Sequence, residues 1–178
     1  MFEHVAAIAI ESETDGDGCR GTKLSASVYS EGEVCARLRG VQPEEVQAIL
    51  PPSCICVAHG EQAVGIRNLT GFDLGRRLLI DTQELARILL PTVAHSDLTT
   101  LAEHLELPPP DTAGLAGGAD SILDLFGALT GLAIQMPAPV VFEVTGILKG
   151  PANRSLRKYF DQIQRVPSSE EDSSQPQS

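Results

Sequence analysis

Two glutamates near the start of the chain, Glu11 and Glu13, have the type and spacing to bind a divalent cation. If the apolar run before them continues as a strand, residues i and i+2 share a face and both carboxylates converge on one site. The same residues, with Asp15 and Asp17, also read as a solvated acidic turn. An EF-hand calcium loop is excluded, because the bidentate Glu required at position twelve is Thr22 counted from Glu11 and Leu24 counted from Glu13. A third acid, Asp120, follows a glycine-rich stretch, Ala113-Gly-Leu-Ala-Gly-Gly-Ala119, that lacks the Gly-Lys-Ser/Thr of a phosphate-binding loop. Asp120 also stands where an N-cap for a helix over Ile122 to Leu132 belongs. The four cysteines, Cys19, Cys35, Cys54 and Cys56, lack zinc-site spacing. Cys54 and Cys56 share a strand face as small core residues. His95 and His104 lie on or beside a periodic helix and read as surface or packing residues, and His59 as a packing or hydrogen-bonding residue at a strand end.

The elements that position these groups follow from periodicity. Val5 to Ile10 read as a buried strand leading into the polar cluster Glu11 to Gly18. Leu24, Ala26 and Val28, then Val34, Ala36 and Leu38, alternate with polar partners about Glu31-Gly32, which predicts a hairpin. Pro43-Glu44-Glu45 opens a helix through Val46, Ile49 and Leu50 that ends at Pro51-Pro52. Ser53 to Ala58 and Leu78 to Ile80 are further strands. Three helical stripes follow, carried by Leu85, Ile88 and Leu89, by Leu98, Leu101 and Leu105, and by Ile122, Leu125, Phe126 and Leu129. A strand-rich first half and a helix-rich second half predict an α/β fold, its mixed sheet begun by a hairpin and covered by helices. Pro137 and Pro139 break the pattern, so 1–136 form the main domain and 137–165 an appendage with a short apolar segment and a basic helix around Leu156 and Phe160. Residues 166–178 have almost nothing to bury and read as a disordered tail.

Composition narrows the function classes. The 178 residues carry a net charge of −11, with 42% hydrophobic residues, no Trp and a pI near 4.7. A chain of this length buries roughly 70% of its unfolded surface and needs neither disulfides nor metal to hold a core. The charge is uneven: residues 1–148 are net −12, 149–165 net +4 and 166–178 net −3. Few aromatics and an acidic body argue against avid, sequence-independent nucleic-acid binding. Without a signal segment or a twenty-residue apolar run, a reduced, cytoplasmic setting away from the membrane is expected.

The order of segments resembles the DnaQ-like, DEDD-type 3′–5′ exonucleases, whose fold is RNase H-like, over about residues 3–135. Ile8-Ala-Ile-Glu-Ser-Glu-Thr-Asp-Gly16 resembles their first-strand motif ending in Asp-x-Glu-Thr-x-Gly, and Val57-Ala-His59 a Val-Ala-His-Asn strand end. Asp81-Thr-Gln-Glu-Leu-Ala-Arg-Ile-Leu-Leu-Pro91 is similar to Asp-Thr-x-x-Leu-Ala-x-x-Leu-x-Pro, Ser96 to Leu107 to the helix that follows, and Gly117-Gly-Ala-Asp-Ser121 to the last motif. The chain also resembles the branch of such domains associated with bacterial helicases, since Leu156-Arg-Lys-Tyr-Phe160 follows the exonuclease-like body where a linker to a helicase would begin.

The resemblance implies phosphodiester hydrolysis by two divalent metals, Mg²⁺ or Mn²⁺, about 3.5–4 Å apart, held by four carboxylates beside a His or Tyr base. Carried over residue by residue, the metal candidates are Glu11, Glu13 and Asp120. Glu11 is one methylene longer than the family's Asp, and a misplacement of about an ångström costs about a hundredfold. The middle aspartate falls on Val64, with Glu61 or the loop residue Asp73 as weak substitutes, and the general-base position falls on Leu115. A general base contributes about 10²- to 10⁴-fold. The resemblance therefore implies a degenerate site: an exonuclease-like domain that has lost hydrolysis, binds metal weakly if at all, and serves as an accessory or interaction module, with a protein partner or larger DNA-processing assembly and at most weak nucleic-acid contact. The alternative is an active metal-dependent exonuclease with a rearranged site.

Overall fold

The computed structural model describes residues 2–14, 20–110 and 117–165, with backbone alone at 12–14, 20, 21 and 117. Glu13 is thus placed by its backbone only, and Asp15, Asp17, Leu115 and the 166–178 tail lie outside the described residues. Contacts divide the chain into two compact units, one from Phe2 to Leu129 and one beginning at Thr130.

The first unit is α/β. Strands β1 (His4–Thr14), β2 (Arg20–Ser30) and β3 (Glu33–Val41) form an antiparallel meander, and β4 (Ile55–Ala58) and β5 (Leu78–Asp81) add a parallel half, in the order β3-β2-β1-β4-β5. The β2–β3 connection is the two-residue turn Glu31-Gly32, with φ of 53° and 100°. Positive φ at both positions matches the right-handed twist of a hairpin, so the Gly is where the turn needs it. β1 runs four residues further than Ile10 because β2 pairs with it throughout, from His4 opposite Ser30 to Thr14 opposite Arg20. Of the two readings of Glu11 and Glu13, as strand residues and as an acidic turn, the pairing places both in the strand. Val5 to Ala7 pair in parallel with Ile55 to Val57, and Ile55 to Ala58 with Leu78 to Asp81.

One face of the sheet is dry. Ala6 and Ile8 of β1, Leu24, Ala26 and Val28 of β2, Cys56 and Ala58 of β4 and Leu79 of β5 pack with Val46 and Leu50 of helix α1 (Pro43–Ile49) and Ala63 and Ile66 of α2 (Glu61–Arg67). A Cβ on Gly65 of α2 would collide with Ile10 Cδ1, so a larger residue there requires the Ile10 side chain to shift. Arg77 ties this layer down from the loop before β5. Its guanidinium donates to the carbonyls of Leu50 and Pro51, at 2.9 and 3.0 Å, and of Asp73, at 3.4 Å. Leu50 is the C-cap of α1, where a cation is favourable, and the Pro51 carbonyl also accepts from Cys54 N at 3.1 Å.

The other face also disappears from solvent. Val5, Ala7 and Ala9 of β1, Ser25 and Ser27 of β2, Ile55 and Val57 of β4 and Ile80 of β5 are all buried. Here α5 (Gly117–Gln135) begins, close enough that a Cβ on Gly118 would lie 3.4 Å from Ala9 Cβ. Small residues on both strands, Ala7 and Ala9 against Ser25 and Ser27, make that approach possible. Helices α3 (Thr82–Leu89) and α4 (Leu98–His104) complete the unit, capped by Asp81 and Asp97.

The second unit is helical. Beside the end of α5 it contains α6 (Ala138–Ile147) and α7 (Arg154–Ile163), which pack together. Pro137 and Pro139 break α5 as expected, yet they also open α6, because proline is tolerated at an N-cap and in a first helical turn. α7 buries Leu156, Tyr159, Phe160 and Ile163. Tyr159 and Phe160 meet edge to face at 5.1 Å, and the Tyr159 hydroxyl donates to Thr130 Oγ1 at 3.1 Å. Burial pushes the Tyr159 hydroxyl up to about 12. Among the described residues no single helix is long and apolar enough to cross a membrane.

Candidate active site

Glu11 sits on the α5 side of the sheet, on the same face as Ala7 and Ala9, and is only 9% exposed. Its carboxylate accepts from the hydroxyl of Ser25, a fully buried residue of the neighbouring strand. Room for the other oxygen comes from Gly40, whose φ is 59° and where a Cβ would approach Glu11 Oε2 to 3.4 Å. Two residues along β2, Ser27 donates to Asp120 Oδ1 at 2.6 Å. The two serines are successive inward positions of one strand, on the order of 6–7 Å apart. Each hydroxyl has one proton to give, and each gives it to one carboxylate.

Asp120 is held further by Arg37 of β3, whose Nε lies 3.0 Å from Oδ1 and 3.3 Å from Oδ2. Burial raises the Asp120 carboxyl, but the hydrogen bonds from Ser27 and Arg37 and the charges of Arg37 and Arg39 outweigh it and hold the group below its ordinary value. Asp124, one turn on, goes the other way: burial raises it first, and the neighbouring negative charge of Asp120 adds to that. The N-cap expected of Asp120 is corrected by the helix itself. α5 begins at Gly117, three residues earlier, which puts Asp120 inside the first turn and frees its side chain to cross to the sheet.

Val64, Glu61 and Asp73 do not join this pair. Val64 lies on α2 with 54% of its surface exposed. Glu61 is exposed in the first turn of the same helix. Asp73 is in a loop, where its carboxylate accepts from Gly75 N at 2.7 Å. The side chain of Glu13, whose backbone pairs with Gly21, lies outside the described residues, as does Leu115. Among the described residues no group of three or more His, Cys, Asp or Glu side chains is placed to hold a metal ion.

The strand end after β4 is built for support. Asp81 accepts from Gly60 N at 2.8 Å and from Gln83 N at 2.9 Å, which caps α3 and ties the end of β4 to that of β5. Thr82 Oγ1 donates to the carbonyl of Ala58, so it receives from His59 Nδ1 at 2.9 Å, and His59 carries its proton there when neutral. Burial lowers the His59 pKa and favours that neutral form. Cys54 and Cys56 are buried, free thiols; the hydrogen bond with Cys54, and then burial, push Cys56 well up. His95 and His104 are exposed.

Ser25, Ser27 and Arg37 escaped the reading of the sequence. The first two were the polar partners in an alternating strand, a pattern that ordinarily faces water. The available signal was size: Ala-x-Ala on β1, Ser-x-Ser on β2 and Gly117-Gly118 together describe a shallow surface that admits a helix. No protein-family model matches the chain, and no curated protein matches it.

Proposed function

We propose that the chain is an exonuclease-like domain of RNase H-like type that has kept its architecture and lost phosphodiester hydrolysis, acting in the cytoplasm as an accessory or interaction module in nucleic-acid metabolism. The order β3-β2-β1-β4-β5, with an antiparallel meander joined to a parallel β1-β4-β5 half, supports the RNase H-like reading. The observation that carries the loss of function is the ion pair between Asp120 and Arg37. A two-metal site concentrates negative charge and neutralises it with cations bound at a spacing of about 4 Å. Here a guanidinium already neutralises one of the retained acids, and a serine hydroxyl occupies a lone pair of each. A divalent ion entering beside Arg37 meets like charge. Val64 offers no lone pair to compensate.

The test is hydrolysis itself. Purified chain incubated with labelled single-stranded DNA or RNA in Mn²⁺ and in Mg²⁺ releases no nucleotides above a Glu13→Ala control. Turnover that the Glu13→Ala substitution abolishes would overturn the reading in favour of an active exonuclease with a rearranged site.

A further inference from the structure

Between the start of α1 and the end of α2 the surface opens into a groove of about 460 Å³. Two of its residues, Ile10 and Leu69, pack against the α1–α2 core, so it lies on the side of the sheet away from Glu11 and Asp120. Both are half-buried, and with the buried Pro43 they give the groove an apolar lining. Glu44, Asn68 and Thr70, all exposed, give it a polar rim. A cleft of this size that joins apolar surface to a few polar groups has the usual form of a small-molecule site.

The charge of that rim is one-sided. Among the described residues no Lys, Arg or His lines the groove, and Glu44 is its one carboxylate. The neighbouring Glu45 is committed to the helix, where its carboxylate accepts from Gln42 N at 2.8 Å. Glu44 has no such commitment: among the described residues neither a side-chain hydrogen bond nor an ion pair engages it. Its place is made by the backbone beside it. Gly71 has a φ of 81°, and a Cβ there would collide with Glu44 Oε1, so glycine lets the carboxylate lie against the chain next to Thr70. Asn68 donates to the carbonyl of Val64 at 3.0 Å, which leaves its Oδ1 as a further acceptor.

We propose that this groove binds a small organic ammonium ion, its apolar part on Ile10, Pro43 and Leu69 and its N–H donors toward Glu44. Charge separates this class from other ligands of the same shape. A carboxylate or phosphate meets Glu44 with like charge, inside a stretch, 1–148, that carries net −12. A neutral alcohol gains the apolar contact without the charge-assisted hydrogen bond. The inference goes beyond the interaction-module reading and uses none of the residues in the nuclease question, so the hydrolysis assay does not bear on it.

The probes are phenethylamine, its neutral counterpart phenethyl alcohol and the anion hydrocinnamate, each titrated into the ¹⁵N-labelled full chain and followed by amide chemical shifts. Phenethylamine is expected to shift the amides of Glu44, Gly65, Asn68 and Leu69 saturably, with a Kd on the order of 1 mM for so small a ligand. It should bind about fivefold more tightly than the alcohol, and hydrocinnamate should leave those amides in place. Glu44→Gln removes the preference for the amine while the alcohol still binds. Thr70→Phe, which adds bulk at an exposed rim position, weakens amine and alcohol together. Circular dichroism verifies that both variants stay folded. Absence of saturable shifts, equal affinity for amine and alcohol, or a preference that survives Glu44→Gln overturns the proposal. So does amine binding that Thr70→Phe leaves unchanged, which places the site elsewhere.

Discussion

The two faces of one sheet differ in what holds a helix to them. On the α1–α2 side the strands offer Ile8, Leu24, Val28 and Leu79, and contact is apolar throughout. On the α5 side they offer Ala7, Ala9, Ser25 and Ser27, and the helix is tied by Asp120 to Ser27 and Arg37. The first face is held by area, the second by close approach and by polar groups that must find partners. Burial of apolar surface stabilises with little regard to geometry, whereas a buried carboxylate is tolerated only while its donors stay in place. Glu11 and Asp120 on the second face are thus both held by hydrogen bonds from the strands beside them.

Three substitutions break or sharpen that contrast. The largest effect is expected from Ile8→Ala on the apolar face, about 3–4 kcal/mol less stable in urea unfolding, since a fully buried side chain leaves a cavity. A loss under 1 kcal/mol would show that the α1–α2 layer relaxes freely. Next comes Ser25→Ala, which removes a donor to the nearly buried Glu11 carboxylate and costs about 1–3 kcal/mol. The companion Ser25→Ala, Glu11→Gln protein should recover part of that loss; a double variant no better than the single one would mean that the hydroxyl matters for packing alone.

The smallest effect is one of pH. The folded-state carboxyl of Asp120 is held below its unfolded value of about 3.9, so its contribution is fully present above that pH and disappears as pH falls through the folded value. Asp120→Asn should flatten the acid limb of the stability profile below about pH 4 while leaving the profile near neutrality with the same slope. An unchanged acid limb would mean that the Arg37 pair is screened in solution. Arg37 is more than half exposed, so this contribution is expected to be small.

Much of the first unit was legible. Alternation marked β2 and β3, Glu31-Gly32 marked their turn, and Pro43 and Pro51 bracketed α1. Three features were not. β1 continues through Glu11 and Glu13 because β2 pairs with it, a long-range fact that local composition does not carry. α5 starts on two glycines, which are poor helix formers and give no start signal, so Asp120 looked like the cap. Period-two alternation also says which residues share a face without saying what covers it, so it marks Ser25 and Ser27 only as polar partners although both are buried. Of the candidate site, Glu11 and Asp120 were found and their partners were not. Those partners come from β2 and β3, whose place beside α5 only the tertiary fold sets.

Arg77 gives the stretch between α2 and β5 a property its composition lacks. Phe72 is its one buried side chain, and regular strand or helix is absent from 68–77, yet the Arg77 guanidinium on the carbonyls of Leu50 and Pro51 and the Asp73 N–H on Gln47 Oε1 at 3.1 Å close it against α1. With Phe72 packed beneath them, these ties make the stretch open as a unit, so amide hydrogens shielded by the closure should exchange at a common rate instead of fraying residue by residue.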